Sequence, residues 1–320
     1  MSPDSSQKTL AEGAARAYYV AGETMESIAA RLRVSRSTVS RLLRYARENG
    51  IVEITVHAPQ TDAGTQLSRA LAARWRITAR VIAVHADASD SERLDSVTTA
   101  AAQTISELVS SHMTIGVAWG STLAATSRHL PPKSTVGTRF VQLNGSGNIR
   151  TTGLGFASDI LRRFGHAYAA QVQQFPVPAF FDDPETKNAL WRERSTRRIL
   201  DLHAALDLVI FSVGAKESPV PSHVYADDYL DPGDLDELAR ENVVGDVATV
   251  FYRLDGSSAD IALNARASGP SLAALAAVPR RVCIAAGESK ATSLAGALAA
   301  GLVSDLILDD ATARRLLELA

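Results

Sequence analysis

The sequence is poor in the residues and patterns that mark secreted, metal-binding or membrane-spanning proteins. Cys283 is its only cysteine, so an intrachain disulfide is impossible and zinc has no thiolate cluster. The histidines are isolated, with no two at the spacing of metal ligands. The N-terminus lacks a signal-peptide layout, and the longest mildly apolar stretch, SLAGALAAGLV, is far shorter than the ~20 residues that cross a bilayer. We therefore expect a cytoplasmic protein with no metal, no cofactor and no membrane contact.

The net charge of the chain is small, but the charged residues are unevenly distributed along it. The 320 residues carry 33 Lys/Arg against 35 Asp/Glu, a net charge of −2. Residues 1–58 hold eight basic and six acidic side chains, a net of +2, which leaves 25 against 29 for residues 59–320, a net of −4. Any affinity for nucleic acid must therefore be local to the N-terminal part. The length exceeds that of a typical domain and favours two domains, or one domain with an appendage.

The segment GETMESIAARLRVSRSTVSRLLRYARENG, residues 22–50, combines two short helical patterns. Apolar residues recur at i, i+3, i+4 and i+7, first as Met25, Ile28, Ala29 and Leu32, then as Val39, Leu42, Leu43 and Ala46. Thr24 and Ser35 are candidate N-caps of the two helices, and Gly50 can end the second. Together with a supporting helix over residues 10–20, this spacing predicts a helix-turn-helix.

Residues 31–49 hold six arginines and one acid, and the arginines avoid the apolar face. Arginine suits guanine edges and small hydroxyls allow close approach to DNA, so the second helix is the candidate recognition helix. The candidate DNA-binding residues are Thr24, Ser35, Arg36, Ser37, Thr38, Ser40, Arg41, Arg44 and Arg47. The alternative is a solvated basic face on an ordinary helical hairpin. Residues 50–58 alternate as a strand or wing, which predicts a DNA-binding domain over residues 1–57.

The turn-rich residues 58–64 predict a linker, followed by an effector domain over residues 65–320. In that domain short apolar runs alternate with helical patterns. The predicted strands are 79–84, 114–120, 139–146, 207–214, 280–287 and 305–309, and the predicted helices are 92–111, 122–129, 155–164, 187–202 and 289–300. This alternation indicates an α/β fold, a Rossmann-like parallel sheet covered by helices on both faces.

Three predicted strands end in turns that contain glycine and open helices: WGSTLAAT, LNGSGNIR and AAGESKATS. Ligands of open parallel sheets bind outside the carboxyl ends of the strands, where helix N-termini favour anions. Hydroxyls at Ser121 and Thr122 and the charge of Lys290 suit a phosphate monoester. Alternatively, the turns are ordinary helix caps and Lys290 is a solvent-exposed lysine without an anionic partner. Arg150 stands where a dinucleotide fingerprint needs its third glycine, and no P-loop is present.

The order and spacing of several stretches resemble the SorC (sorbitol-operon regulator) family of bacterial transcription factors, also described as DeoR-like sugar-binding regulators. The resemblance runs from about residue 13 to the C-terminus. The stretches that carry it include SIAARLRVSRSTVSRLLRYARENGIVEI, IGVAWGSTL, VQLNGS, VIFSVG, NVVGDVATVFYRLDG, ALNARASG and VCIAAGESKATSLAGALAAGLVSDLILDDATARRLL. It implies an effector domain similar to ribose-5-phosphate isomerase and glucosamine-6-phosphate deaminase that senses phosphorylated sugars.

The resemblance also implies site residues in this sequence. The phosphate-facing loops are expected at Gly120, Ser121, Thr122, Gly287 and Lys290, with Gly145 and Ser146 at the border of the cleft and Asp246 and Gln142 suited to sugar hydroxyls. Two positions depart from the family pattern. Ser121 stands where the family commonly has a larger, often basic residue, and Ala286 stands where it has a second glycine. These departures leave an unphosphorylated sugar or polyol open as the effector.

The resulting hypothesis is a DNA-binding transcriptional regulator of a carbohydrate-utilisation operon, controlled by a sugar phosphate. Two-fold operator DNA requires a two-fold protein, so a homodimer or homotetramer is expected. The alternative from another class is a sugar-phosphate isomerase or deaminase. Such an enzyme needs a positioned general base, and Asp246 is the only acid that a motif places. We therefore predict no catalytic residues.

Overall fold

The computed structural model describes residues 3–52, 62–216 and 222–319. The chain divides into two compact units, residues 1–57 and 58–320. The predicted linker at 58–64 is only partly described, because residues 53–61 lie outside the described ranges, and its last three residues already belong to the first helix of the second unit.

The first unit is a bundle of three helices. Helix α1 (Pro3–Ala15) continues into a π-helical turn at Arg16–Val20, and α2 (Met25–Leu32) and α3 (Arg36–Glu48) follow. The apolar residues predicted to face inward do so and form one cluster with residues of α1: Ala11, Ala14, Ile28, Ala29, Val39, Leu42, Leu43 and Ala46. The small side chain of Ala29, 8% exposed, lies in this shared core.

Local hydrogen bonds explain where α2 and α3 begin and end. The side chain of Thr24 accepts from Ser27 N at 3.2 Å and that of Ser35 accepts from Thr38 N at 3.1 Å, so both are N-caps. Between the helices Arg33 adopts a left-handed conformation with φ 53°. After α3, Ile51 and Val52 pack on the core without forming a strand, and the rest of the predicted wing lies outside the described residues.

The described residues of the second unit form nine strands, of which seven make up one parallel sheet. The strands are β1 (Thr78–Ile82), β2 (Thr114–Val117), β3 (Arg139–Gln142), β4 (Gln171–Gln173), β5 (Leu208–Phe211), β6 (Val243–Val247), β7 (Val250–Arg253), β8 (Arg280–Ala285) and β9 (Asp305–Asp309). The order in the sheet is β1-β9-β8-β5-β2-β3-β4. Strands β6 and β7 form a separate antiparallel pair.

Helices cover both faces of the sheet, as the sequence predicts. They are α4 (Asp62–Trp75), α5 (Asp90–Leu108), α6 (Ser121–Arg128), α7 (Leu154–Tyr168), α8 (Pro184–Trp191), α9 (Arg194–His203), α10 (His223–Ala226), α11 (Pro232–Arg240), α12 (Leu272–Ala276), α13 (Ala291–Ala299) and α14 (Asp310–Leu319). Alternate residues of β5 belong to opposite cores, Leu208 and Ile210 to one and Val209 and Phe211 to the other. A two-sided core of this kind requires strands that are apolar on both faces.

Two details differ from the expected elements. The predicted helix 187–202 is broken into α8 and α9, because Glu193 takes an extended conformation with ψ 138°. The predicted helix 289–300 begins as a 3-10 turn, Glu288–Lys290, before α13. Among the described helices none has the length and apolarity needed to cross a membrane.

Candidate DNA-recognition helix and effector cleft

Helix α3 presents a basic, hydroxyl-bearing surface opposite its buried face. Ser37, Ser40, Arg41, Arg44 and Arg47 are all exposed on it. In the part of the chain that the structure describes, none of these three arginines has an acidic partner within ion-pair distance. Such unpaired guanidinium groups on one helical face are suited to phosphates and base edges.

The other candidate residues of this unit shape the helix ends. Arg36 Nε lies 2.8 Å from Glu26 Oε1, an ion pair that joins α3 to α2. Besides capping α3, the Ser35 hydroxyl lies 2.9 Å from Thr38 Oγ1, and Thr24 caps α2. These three side chains therefore stabilise the helix-turn-helix itself, whereas Arg41, Arg44 and Arg47 are exposed on the surface of α3.

In the second unit a polar cleft lies where β2, β5 and β8 end. It is partly open to solvent and has a cavity volume of about 50 Å³. The lining residues are Ala118, Trp119, Gly120, Ser121, Thr122, Asn144, Ser212, Val213, Gly214, Ser222, His223, Val224, Asp246, Ala248, Thr249 and Lys290. The position at the carboxyl ends of parallel strands is the one expected for a ligand site in an open α/β sheet.

Hydrogen-bond donors gather on one side of the cleft. Lys290 Nζ donates to Thr122 Oγ1 at 3.0 Å and to Ser212 Oγ at 3.1 Å. Burial lowers the pKa of Lys290 from 10.5 to about 8, although the nearby Cys283 and Asp246 oppose this shift. Gly120 is the N-cap residue of α6 and has no side chain. Because Gly120, Ser121 and Thr122 line the cleft, the N-terminus of α6 lies at the cleft. A cation beside a helix N-terminus favours an anion.

Unpaired acceptors lie elsewhere on the cleft wall. Asn144 and Asp246 are 1% and 4% exposed, and among the residues that the structure describes neither Oδ1 atom has a hydrogen-bond partner. Asp246 Oδ2 accepts from Thr249 N at 3.1 Å. Gly214 lies so close to Asp246 that any side chain there would collide with Oδ1. Buried acceptors without partners are costly, and ligand hydroxyls would satisfy them.

The Asp246 carboxyl is strongly perturbed by its surroundings. Burial raises the pKa of Asp246 from 3.8 to about 6, and the Thr249 N–H, the nearby Tyr225 hydroxyl and the charge of Lys290 limit the rise. Near neutral pH the group is therefore an ionised carboxylate in a buried position. A side chain held in this costly state indicates function more than stability.

We expect Asp246→Asn to stabilise the protein above pH 6 while weakening ligand binding. Because burial raises the pKa of Asp246 from 3.8 to about 6, the native state keeps a proton that the unfolded chain releases, and stability falls as the pH rises between these values. The gain from Asp246→Asn should grow across this range to an order of 2–3 kcal/mol. Urea unfolding at pH 4, 5, 6 and 7 measures it. A gain that is constant with pH, or that also occurs for the exposed Asp236→Asn, would contradict this prediction.

Five of the nine predicted effector residues line the cleft: Gly120, Ser121, Thr122, Asp246 and Lys290. The other four support the loops around it. Gln142 is buried and donates to Asn144 O at 2.8 Å, Gly145 N donates to Ser268 Oγ at 2.9 Å, Ser146 O accepts from Tyr229 at 3.0 Å, and Gly287 N donates to Asp309 Oδ2 at 2.8 Å. These four residues therefore form hydrogen bonds that stabilise the surrounding loops, and they are not among the residues that line the cleft.

Several lining residues are absent from the sequence-based set. They are Asn144, Ser212, Gly214, Ser222, His223 and Thr249. The strand-end rule could have found Ser212 and Gly214, since SVG follows β5 directly. No comparable signal marks His223, the first residue of α10, or Thr249, in the turn between β6 and β7.

A helix-turn-helix unit followed by a parallel-sheet domain with a polar cleft defines the class of ligand-responsive transcriptional regulators. The family model Sugar-bind, described as a sugar-binding domain, matches residues 60–318, and the chain belongs to this family of SorC/DeoR-type sugar-binding regulators. The similar proteins described next are transcriptional regulators. This protein is likewise a regulator and not an enzyme.

Three similar proteins illustrate the match. The chain is 27% identical to the deoxyribonucleoside regulator of Bacillus subtilis (strain 168) over 316 residues, 98% of each chain. A crystallised domain of a possible sugar-binding transcriptional regulator from Arthrobacter aurescens TC1 is 53% identical, with a TM-score of 0.76, covering 81% of this chain and 99% of that one. Full-length SorC from Klebsiella pneumoniae, 22% identical, shares the fold with a TM-score of 0.72 over 97% of this chain and 99% of that one.

Proposed function

We propose that the protein is a cytoplasmic homo-oligomer, a dimer or a tetramer, that binds operator DNA through α3 and a phosphorylated sugar in the cleft. In this proposal residues 1–57 form the DNA-binding domain and residues 65–320 form the effector and oligomerisation domain. Sugar binding would change the relative populations of two states that differ in operator affinity. The regulated genes would encode the use of a carbohydrate.

The observation that carries the proposal is the polarity of the cleft. Its Lys290 side contains an ammonium group, two hydroxyls and the start of α6, which suit the phosphate. Asn144 and Asp246 supply unpaired acceptors, which suit hydroxyl donors. A compact molecule that carries an anion and several hydroxyls, namely a sugar phosphate, matches this pattern.

The second candidate is a sensor of an unphosphorylated sugar or polyol. Two observations favour it. The two unpaired acceptors need only hydroxyls, and Ser121 is small and uncharged at a position where the family resemblance implies a larger, often basic residue. Names of similar proteins include an erythritol catabolism regulator from Brucella abortus, 25% identical over 311 residues. Lys290 distinguishes the two candidates, because a neutral ligand leaves its charge without an anion.

The test is a thermal-unfolding screen of the full-length protein with matched pairs: ribose and ribose 5-phosphate, glucose and glucose 6-phosphate, sorbitol and sorbitol 6-phosphate. A ligand at 100 times its Kd adds about 2.7 kcal/mol of stability, which is easily detected. We expect the phosphorylated member of at least one pair to stabilise the protein and to change its affinity for operator DNA. Stabilisation by the free member alone would favour the second candidate, and no stabilisation by any of the six would overturn both.

A further inference from the structure

One wall of the cleft is a short segment, residues 222–229, which we call the strap. It contributes Ser222, His223 and Val224 to the cleft lining. Polar contacts join the strap to the loop after β3: Asn148 Nδ2 to Asp227 O at 2.7 Å, the Tyr229 hydroxyl to Ser146 O at 3.0 Å, and Arg150 Nε to Asp228 Oδ2 at 2.8 Å. These contacts hold the strap against the cleft.

The imidazole of His223 is fixed from two sides within this wall. Its Nδ1 atom is hydrogen-bonded to Asp227 Oδ2, one turn further along the strap. Its ring lies against the ring of Phe156 in α7, with 4.9 Å between the centroids. A side chain that is 36% exposed and held by two neighbours has lost most of its rotational freedom. The ring is thus preorganised at the edge of the cleft.

The partner at Nδ1 decides what the other nitrogen can do. An ionised carboxylate only accepts hydrogen bonds, so in the neutral imidazole Asp227 keeps the proton on Nδ1. The remaining nitrogen, Nε2, is then an acceptor, and no described residue is found hydrogen-bonded to it. The cleft therefore offers a third acceptor besides Asn144 Oδ1 and Asp246 Oδ1.

We propose that His223 Nε2 accepts a hydrogen bond from a hydroxyl of the bound effector and that Asp227 is the positioning residue that sets its tautomer. The inference rests on the proposed function and extends it: the effector carries at least three hydroxyl donors beside its anionic group. A His–Asp pair four residues apart is common on exposed helices and there has no further role. Here His223 is one of the residues that line the cleft, and that placement distinguishes it from such a surface pair.

Calorimetric titration of the full-length protein tests this role with two probes. One is inorganic phosphate, and the other is the tightest binder among ribose 5-phosphate, glucose 6-phosphate and sorbitol 6-phosphate. His223→Leu should weaken the binding of the sugar phosphate about 5- to 10-fold, the effect of one lost hydrogen bond, and leave the binding of inorganic phosphate unchanged. His223→Gln, whose amide oxygen can replace Nε2, should restore most of the affinity. Lys290→Met should weaken both probes.

Each other outcome has a defined meaning. If His223→Leu weakens the binding of both probes equally, the effect is a general structural one and the hydroxyl contact is overturned. Unchanged binding of the sugar phosphate by His223→Leu would also overturn the hydroxyl contact. If Lys290→Met loses affinity while His223→Leu does not, the proposed function stands and this inference fails. If neither probe binds the wild-type protein, both are overturned. Without ligand, ¹H–¹⁵N spectra should show neutral His223 as the Nδ1–H tautomer, and Asp227→Leu should shift it toward the Nε2–H form.

Discussion

Replacing Arg41 and Arg44 together by alanine is expected to reduce the affinity for specific operator DNA about 100- to 1,000-fold, since each arginine contact to a base is worth about 1–3 kcal/mol. Both guanidinium groups are exposed on α3, on the side away from Val39 and Leu42. Fluorescence anisotropy at a fixed salt concentration measures the loss, with a duplex that the wild-type protein has selected from a random-sequence library.

The matched control removes the same charge from the same unit. Lys8 and Arg16 are exposed on α1 and the turn that follows it, outside α3. Lys8→Ala with Arg16→Ala should cost much less affinity, and the cost should be similar for specific and random duplexes. Alanine favours helix, so the melting temperatures of the α3 variant and the wild type should agree. Equal losses in the two double variants would contradict a recognition role for α3.

The parallel sheet could be predicted from the sequence because its strands are buried on both faces and read as continuous apolar runs. The six strands predicted for residues 65–320 all occur, and the structure adds β4 to the sheet. Strand β4 is a three-residue edge strand with exposed residues, so it leaves no apolar run. The β6–β7 pair was also missed, because Gly245 and Asp246 interrupt the run of valines that forms β6.

The candidate site was predictable where it is built from strand ends. Ser121, Thr122 and Lys290 follow β2 and β8 directly, so the topology brings them together without further information. The position of the strap could not be predicted in this way. Its single helical turn shows no apolar residues at helical spacing. Its place against the cleft depends on contacts such as that between Asn148 and Asp227, which are 79 residues apart. No local pattern in a single sequence encodes such a contact.

Lys290→Met is expected to weaken the binding of a sugar phosphate about 10- to 100-fold and to abolish the effector response of DNA binding, because a hydrogen bond to a charged group contributes about 1.5–3 kcal/mol. DNA affinity without effector should not change, since residue 290 lies outside the helix-turn-helix unit. Isothermal titration gives the first quantity and anisotropy with and without ribose 5-phosphate or glucose 6-phosphate gives the second.

Lys187→Met is the matched control for the loss of a lysine charge. Burial lowers the pKa of Lys187 as well, and its Nζ donates to Ala265 O at 2.9 Å, but it does not line the cleft. This variant should bind the same sugar phosphate with wild-type affinity. A response to effector that survives in Lys290→Met, or one that disappears in both variants, would refute the assignment of the anion to Lys290.

The pH dependence of the wild-type protein offers an independent check on Lys290. Burial lowers the pKa of Lys290 from 10.5 to about 8 in the ligand-free protein, so the cleft loses its ammonium charge as the pH rises through that value. Sugar-phosphate affinity should therefore fall above pH 8 in the wild type and stay level in Lys290→Met. The native state also releases this proton before the unfolded chain does, so between pH 8 and 10.5 the Lys290 group stabilises folding increasingly. Relative to Lys290→Met, the wild type should thus lose affinity and gain stability over the same range, a combination that a surface lysine would not produce.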